Sequence, residues 1–131
     1  MRDVRRSISI VFFMLLLLAV LGTAAGTTVS LSPLAVYETT THTFNLTLNN
    51  FGADDEIASV KVLAPDIDIQ TVADYKGWQE NYTENMAEWY DGSLGTNVLL
   101  ALFQLTGHAR KVDQNQSSLV QIIVTDPYLL Q

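Results

Sequence analysis

The feature that most limits the fold of this chain is the alternation of apolar and polar residues with a period of two, which recurs beyond residue 26. Residues 44–49 read FNLTLN, residues 58–63 read ASVKVL, and residues 67–70 read IDIQ. Successive side chains of a β-strand point to opposite faces of the sheet, so a strand with one packed face and one wet face has this period. The pattern therefore predicts half-buried β-strands in most of the chain.

Turn-forming residues separate these strands at regular intervals. Gly, Pro, Asn and Asp residues cluster at 49–55, at 65–66 and at 91–95, and polar residues fill 113–118. The pattern shows no alternation of strands with helices. It predicts an all-β fold, an antiparallel β-sandwich of about seven strands, in one domain over residues 26–131.

Two stretches fit more than one interpretation. Residues 98–103 (VLLALF) are apolar throughout and suit a buried strand or a short helix. Gly95 before them and Gly107 after them favour a central strand. Residues 74–89 are mostly polar, and we expect a helical turn among them.

Residues 1–25 have the pattern of an export signal. Three arginines precede an unbroken apolar run of 12 residues at 10–21, and small residues follow at 22–25. This order is typical of a signal peptide, whereas a membrane-spanning helix needs about 20 apolar residues. We expect cleavage near Ala24 or Ala25, and a retained N-terminal membrane anchor is the alternative. Either way, residues 26–131 are predicted to be extracellular or at the cell surface, with any membrane contact made through the N-terminal segment.

The composition excludes several classes of function. The chain has no Cys and two His, which speaks against thiol chemistry and against Cys-ligated or His-rich metal sites. Its formal net charge of −7 and its pI of about 4.5 speak against nucleic acid as a partner. Removal of the leader would take away three of the seven basic residues and leave a more acidic exported part.

Three segments carry a resemblance to a known group of domains. Residues 43–52 (TFNLTLNNFG) and 57–65 (IASVKVLAP) run as strand, Asn-Gly turn, strand and Pro, and residues 89–95 (WYDGSLG) precede an apolar stretch. In this order they resemble immunoglobulin-like and fibronectin-III-like β-sandwich domains of archaeal and bacterial exported surface proteins. The resemblance implies an immunoglobulin-like sandwich and does not imply an activity.

One set of these relatives binds copper through a histidine at the mature N-terminus. Here the expected N-terminus is at or near Gly26, and the nearest histidine is His42. This difference argues against copper.

The chain contains three sequons for N-glycosylation, which begin at Asn45, Asn81 and Asn115. In an exported protein each is a legitimate acceptor. Asn81 and Asn115 lie in polar, loop-like stretches, whereas Asn45 lies on the wet face of a predicted strand. The sequence therefore predicts a glycoprotein with one or more of these asparagines modified.

Acidic residues near strand ends are candidates for a calcium site. Calcium takes six to eight oxygen ligands, often from carboxylates in loops. The candidate ligands are Asp54, Asp55, Asp66 and Asp68. The alternative interpretation, which we favour, is solvated loop charge without a bound metal, and no other cofactor is expected.

Aromatic residues are dense between positions 78 and 90. Exposed aromatic rings stack on sugars, so Trp78 and Tyr82 are candidates for glycan contact, with Trp78 expected to be partly exposed. Trp89 is expected in the core between the sheets, and Val60 and Phe103 are placed on buried strand faces.

The sequence offers little for catalysis. It lacks a Gly-x-Ser-x-Gly elbow, a His-Glu-x-x-His motif and a phosphate-binding loop. Glu84 and Glu88 resemble a glycosidase pair only in residue type. We expect no enzymatic activity.

The function expected from the sequence is that of an exported cell-surface or envelope domain with a structural or adhesive role. Its partners would be other envelope proteins or glycans, or further copies in a homo-oligomer. One alternative is a module that binds glycan or calcium. Another is an extracellular filament subunit in which residues 28–33 leave their own sheet and pair with a neighbour's edge.

Overall fold

The computed structural model describes residues 10–16, 20–21, 26–113 and 116–127. Within these residues the chain forms eleven β-strands: β1 (Ile10–Leu16), β2 (Val20–Leu21), β3 (Thr28–Ser32), β4 (Ala35–Tyr37), β5 (Thr41–Asn49), β6 (Ser59–Leu63), β7 (Ile67–Val72), β8 (Gln79–Tyr82), β9 (Met86–Tyr90), β10 (Ala101–Ala109) and β11 (Gln116–Thr125).

The described strands form two sheets whose buried faces pack together. Sheet A contains the antiparallel unit β11-β6-β9-β8, and sheet B is antiparallel in the order β3-β5-β10-β7. Side chains from both sheets make one hydrophobic core. The predicted all-β sandwich is confirmed.

The period-two pattern of the sequence accounts for this packing. In β5, the side chains of Phe44, Leu46 and Leu48 are buried, while the residues between them are only half-buried. In β6, Val60 and Val62 are buried in the same core. Each side chain of this size stabilises the fold by about 1.5–3 kcal/mol when it leaves water, so the alternation fixes which face of each strand points inward.

Four aromatic rings form the centre of the core. The ring of Phe103 lies 4.1 Å from that of Tyr75, 5.2 Å from that of Trp89 and 5.5 Å from that of Trp78, measured between centroids. The buried indole N–H of Trp89 donates a hydrogen bond of 2.9 Å to the carbonyl of Ala73. The predicted burial of Trp89, Val60 and Phe103 is confirmed.

The expected strand at residues 98–103 is displaced. The strand β10 begins at Ala101 and continues through Gly107 to Ala109, whereas residues 98–100 lie in the loop before it. Gly107 does not end the strand but lies within it, where β10 packs closely against β7. A Cβ at this position would lie 2.3 Å from Cγ2 of Ile67, so only glycine allows β7 to come this close.

The expectation of a helical turn within residues 74–89 is wrong. This stretch contains β8 and most of β9, which pair as an antiparallel hairpin. The polar character that suggested an irregular segment has a simple cause: all four residues of β8 are exposed, because this strand forms the end of sheet A. Only β9 turns buried side chains, those of Ala87 and Trp89, towards the core.

The aromatic centre leads to a test of the core. We expect Phe103→Ala to lower the free energy of unfolding by about 3–5 kcal/mol, because it removes a ring packed against three others. Leu102→Ala is the matched control in the same strand, since the Leu102 side chain is 44% exposed. Leu102→Ala should lower the free energy of unfolding by less than about 1 kcal/mol. Urea unfolding of both variants measures the difference, and equal losses would contradict the described packing.

Candidate functional site

Part of the N-terminal apolar run takes a strand position in sheet A. The strand β1 lies between β11 and β4 and pairs in parallel with β11, from Val11 opposite Gln116 to Leu16 opposite Gln121. It pairs antiparallel with β4. The strand β2 continues the parallel pairing near the end of β11. Residues 1–9, 17–19 and 22–25 lie outside the described residues, and so does the predicted cleavage site at Ala24 or Ala25.

The two ends of β11 differ in their pairing. Residues 121–125 pair with β6 on one edge, from Gln121 opposite Leu63 to Thr125 opposite Ser59. Residues 116–120 have β1 as their ladder partner among the described strands. If the N-terminal segment leaves the domain, a gap one strand wide remains between β4 and β11. We call this position, now filled by β1, the β1 slot.

A buried hydroxyl marks the β11 side of the β1 slot. Ser118 lies opposite Phe13 in the ladder. Ser118 is buried, with 3% of its surface exposed. Its Oγ has no hydrogen-bond partner within the described part of the chain. A buried hydroxyl without a hydrogen-bond partner destabilises a fold.

The candidate calcium ligands are not brought together. Asp54 and Asp55 follow β5, at the end of the sandwich where β6 begins at Ser59. Asp66 and Asp68 lie at the start of β7, whose Ile67 pairs with Ala109, at the opposite end of the sandwich. The length of β6 separates the two pairs. Over the described ranges, no group of three or more His, Cys, Asp or Glu side chains could hold a metal ion.

Asp68 is instead paired with a residue that the sequence analysis did not single out. Arg110 Nε lies 2.6 Å from Asp68 Oδ1, and Arg110 Nη2 lies 2.6 Å from Glu84 Oε1. The hydrogen bond to Asp68, with the nearby negative charges, raises the pKa of Arg110 above its ordinary value. These partners are far apart in sequence, so residue spacing could not have indicated that they are in contact. The groups are largely solvated, and such pairs add little stability.

A second residue missed by sequence reasoning is Asn50, which is fully buried. Its Oδ1 accepts a 2.7 Å hydrogen bond from the hydroxyl of Thr27. Its Nδ2 donates to the carbonyls of Asp55, Leu94 and Gly95 at 3.1–3.2 Å. Asn50 therefore joins the start of β3 to two loops at one end of the sandwich, and its role is structural.

The sequons differ in accessibility. Asn45 is half-buried in β5, and its Oδ1 accepts a 2.8 Å hydrogen bond from Gln104 Nε2. Asn81 lies in β8, and it is exposed together with Tyr82 and Thr83. Asn115 lies outside the described residues.

A shallow polar groove adjoins Asn81 on the outer face of sheet A. It has a volume of about 310 Å³ and is lined by Ser59, Asn81, Glu88, Tyr90 and Asp91. Glu88 also lies 4.0 Å from Lys61, at the limit of an ion pair. The groove is open to solvent, with polar groups from three strands around an aromatic ring.

Of the two residues predicted to contact a glycan, one is buried and one is exposed. Trp78 is 7% exposed, so the expectation of partial exposure is wrong. Its ring packs edge-to-face against Tyr75 and fills the core beside Gly92, where a Cβ would overlap the indole. Tyr82 is exposed and can reach a ligand.

Comparisons with protein-family models, with curated proteins and with solved structures find no match for this chain. In the parts of the chain that the structure describes, no helix has the length and apolar character needed to cross a membrane.

The separation of the acidic pairs leads to a prediction about calcium. We expect the melting temperature of the full chain in millimolar CaCl₂ to equal that in NaCl of matched ionic strength, because each pair alone offers few ligands. A cation that binds only the folded state at a hundredfold excess over its Kd would add about 2.7 kcal/mol. That corresponds to roughly ten degrees for a domain of this size. A calcium-specific rise of several degrees, reversed by EDTA, would contradict the prediction.

Proposed function

We propose that this chain is a non-enzymatic domain of the cell surface or envelope with a structural or adhesive role. The export pattern of residues 1–25 supports the location. The resemblance of residues 43–52, 57–65 and 89–95 to immunoglobulin-like domains of exported surface proteins supports the same class. The observation that carries the proposal is the β1 slot, in which an apolar segment pairs with β11 and β4 and extends sheet A.

The β1 slot supports a structural role because of what strand pairing requires. Backbone N–H and C=O groups that are buried without a partner destabilise a fold, and an open strand edge pairs readily with another chain. The segment that fills the β1 slot is the one predicted to be removed or held in a membrane. A domain whose edge opens in this way is suited to lasting attachment through main-chain hydrogen bonds.

The same slot favours a second candidate, the extracellular filament subunit. In this interpretation residues 28–33 of one copy leave their own sheet and enter the β1 slot of the next copy. The strand β3 is suited to this, because it is the end strand of sheet B and pairs with β5 over five residues. Its Leu31 is buried in the intact domain, and an apolar side chain of this kind would be buried again in the partner.

One experiment tests both candidates. The wild-type chain is produced in its source organism, and its accessibility to protease on intact cells is measured together with its size after extraction. We expect a surface-exposed chain and, for a filament subunit, assemblies larger than a monomer. Release only after cell lysis would contradict the proposed location, and an exposed monomer would contradict the filament.

Proline variants show whether any assembly uses the β1 slot. Successive N–H groups of a strand point to opposite edges, so either Gln116→Pro or Ser117→Pro removes an N–H from the edge that faces β1. Both positions precede the part of β11 that pairs with β6. We expect one of the two variants to reach the surface as a monomer and Ser117→Ala to assemble like the wild type. Unchanged assembly of both proline variants would contradict the role of the slot.

A further inference from the structure

The outer edge of sheet A, away from the β1 slot, carries the sequon that begins at Asn81. The strand β8 is the last strand of this sheet within the described residues, and each of its side chains is exposed. The sequon continues through Tyr82 to Thr83, where the hairpin turns back towards β9. All three sequon residues are exposed, so an enzyme can approach this segment from the open edge.

The register of the hairpin fixes the direction of the Asn81 side chain. Asn81 lies opposite Glu88, and residues opposite each other in an antiparallel pair share one face of the sheet. The neighbours of Glu88 in β9, Ala87 and Trp89, are buried in the core. Glu88 and Asn81 therefore face outward, away from the other sheet.

The groove beside Asn81 has the chemistry that suits a sugar. The Ser59 hydroxyl and the carboxylates of Glu88 and Asp91 offer hydrogen-bond partners, and Tyr90 supplies an aromatic ring in the same groove. Aromatic rings pack against the C–H faces of sugars. A first sugar on Asn81 would lie over this groove without displacing a core residue.

The sequon that begins at Asn45 is different in each of these respects. The strand β5 is an inner strand, paired with β3 on one side and β10 on the other. The Asn45 amide oxygen is held by Gln104, and the Thr47 hydroxyl lies 2.6 Å from that of Ser30. The middle residue, Leu46, is buried in the core. Asn45 is therefore a natural internal control for Asn81.

We propose that Asn81 is N-glycosylated and that its glycan covers the open edge of β8. In the reaction, the Asn81 Nδ2 forms a bond to C1 of a sugar carried by a polyprenyl phosphate or diphosphate donor. The bond between C1 and the phosphate oxygen breaks, the amide loses one proton, and the lipid phosphate leaves. This inference rests on the proposed function, because the chain must be exported to meet the transferase.

The modification would distinguish the two ends of the antiparallel unit β11-β6-β9-β8. A bulky polar glycan keeps other strands away from β8, which is one way to protect an open edge. Pairing with other chains is then left to the β11 side, where the β1 slot lies.

Mass spectrometry of the chain purified from the surface of its source organism tests the inference. The variants are Asn81→Gln, Thr83→Ala and the matched control Asn45→Gln. We expect a glycopeptide containing Asn81 in the wild type, loss of that one glycan mass in the first two variants, and the same glycan in the control. Each of the three substitutions destroys one sequon. Asn81→Gln and Thr83→Ala replace exposed side chains, so the melting temperatures of these two variants should match that of the wild type.

The outcomes separate this inference from the function on which it rests. An exported chain whose Asn81 peptide is unmodified overturns the inference and leaves the proposed function standing. Modification at Asn45 or Asn115 with none at Asn81 also overturns it. A chain that stays inside the cell contradicts the proposed function, and the inference fails with it.

Discussion

The packing of Phe103 against Tyr75, Trp78 and Trp89 is the interaction on which the rest of the structure depends. These rings lie between the two sheets, and they come from β10, from β9 and from the loop between β7 and β8. Burial in this cluster also raises the pKa of the Tyr75 hydroxyl. The cluster positions the β8-β9 hairpin, because the buried Trp78 directly precedes β8 and the buried Trp89 lies in β9. The exposed edge that carries Asn81 is therefore fixed by residues in the core.

The two ends of the antiparallel unit β11-β6-β9-β8 then have distinct properties that come from distinct sequences. On one side, the strand β8 is exposed over all four of its residues and presents a sequon. On the other side, β11 has the apolar alternation of a strand with one buried face, and an apolar segment pairs with it. Val120, Ile122 and Val124 of β11 are buried in the core, whereas all four residues of β8 are exposed to solvent. The proposed structural role follows from this asymmetry.

Sequence reasoning found the strands whose inward residues alternate, such as β5 and β6, because period-two burial is a local property. It failed where the pattern depends on tertiary neighbours. The exposure of β8 and the burial of Trp78 both depend on where the sandwich ends, and the close approach of Ile67 to Gly107 is a contact between strands distant in sequence. The candidate calcium ligands were grouped by proximity to strand ends, but strand direction puts them at opposite ends of the domain. The N-terminal apolar run was not predicted to be a strand, because its composition is also that of a signal peptide and does not distinguish the two.

The central claim is that an apolar strand pairs with the first half of β11. Residue-resolved amide hydrogen exchange of the full chain with residues 1–25 retained, followed by NMR, tests it most directly. If the β1 slot is filled, alternate amides within residues 117–120 exchange as slowly as the amides of residues 121–125 that pair with β6, because each is held in a ladder hydrogen bond. Fast exchange at every position of residues 117–120, with slow exchange retained in residues 121–125, would show an open edge and contradict the account.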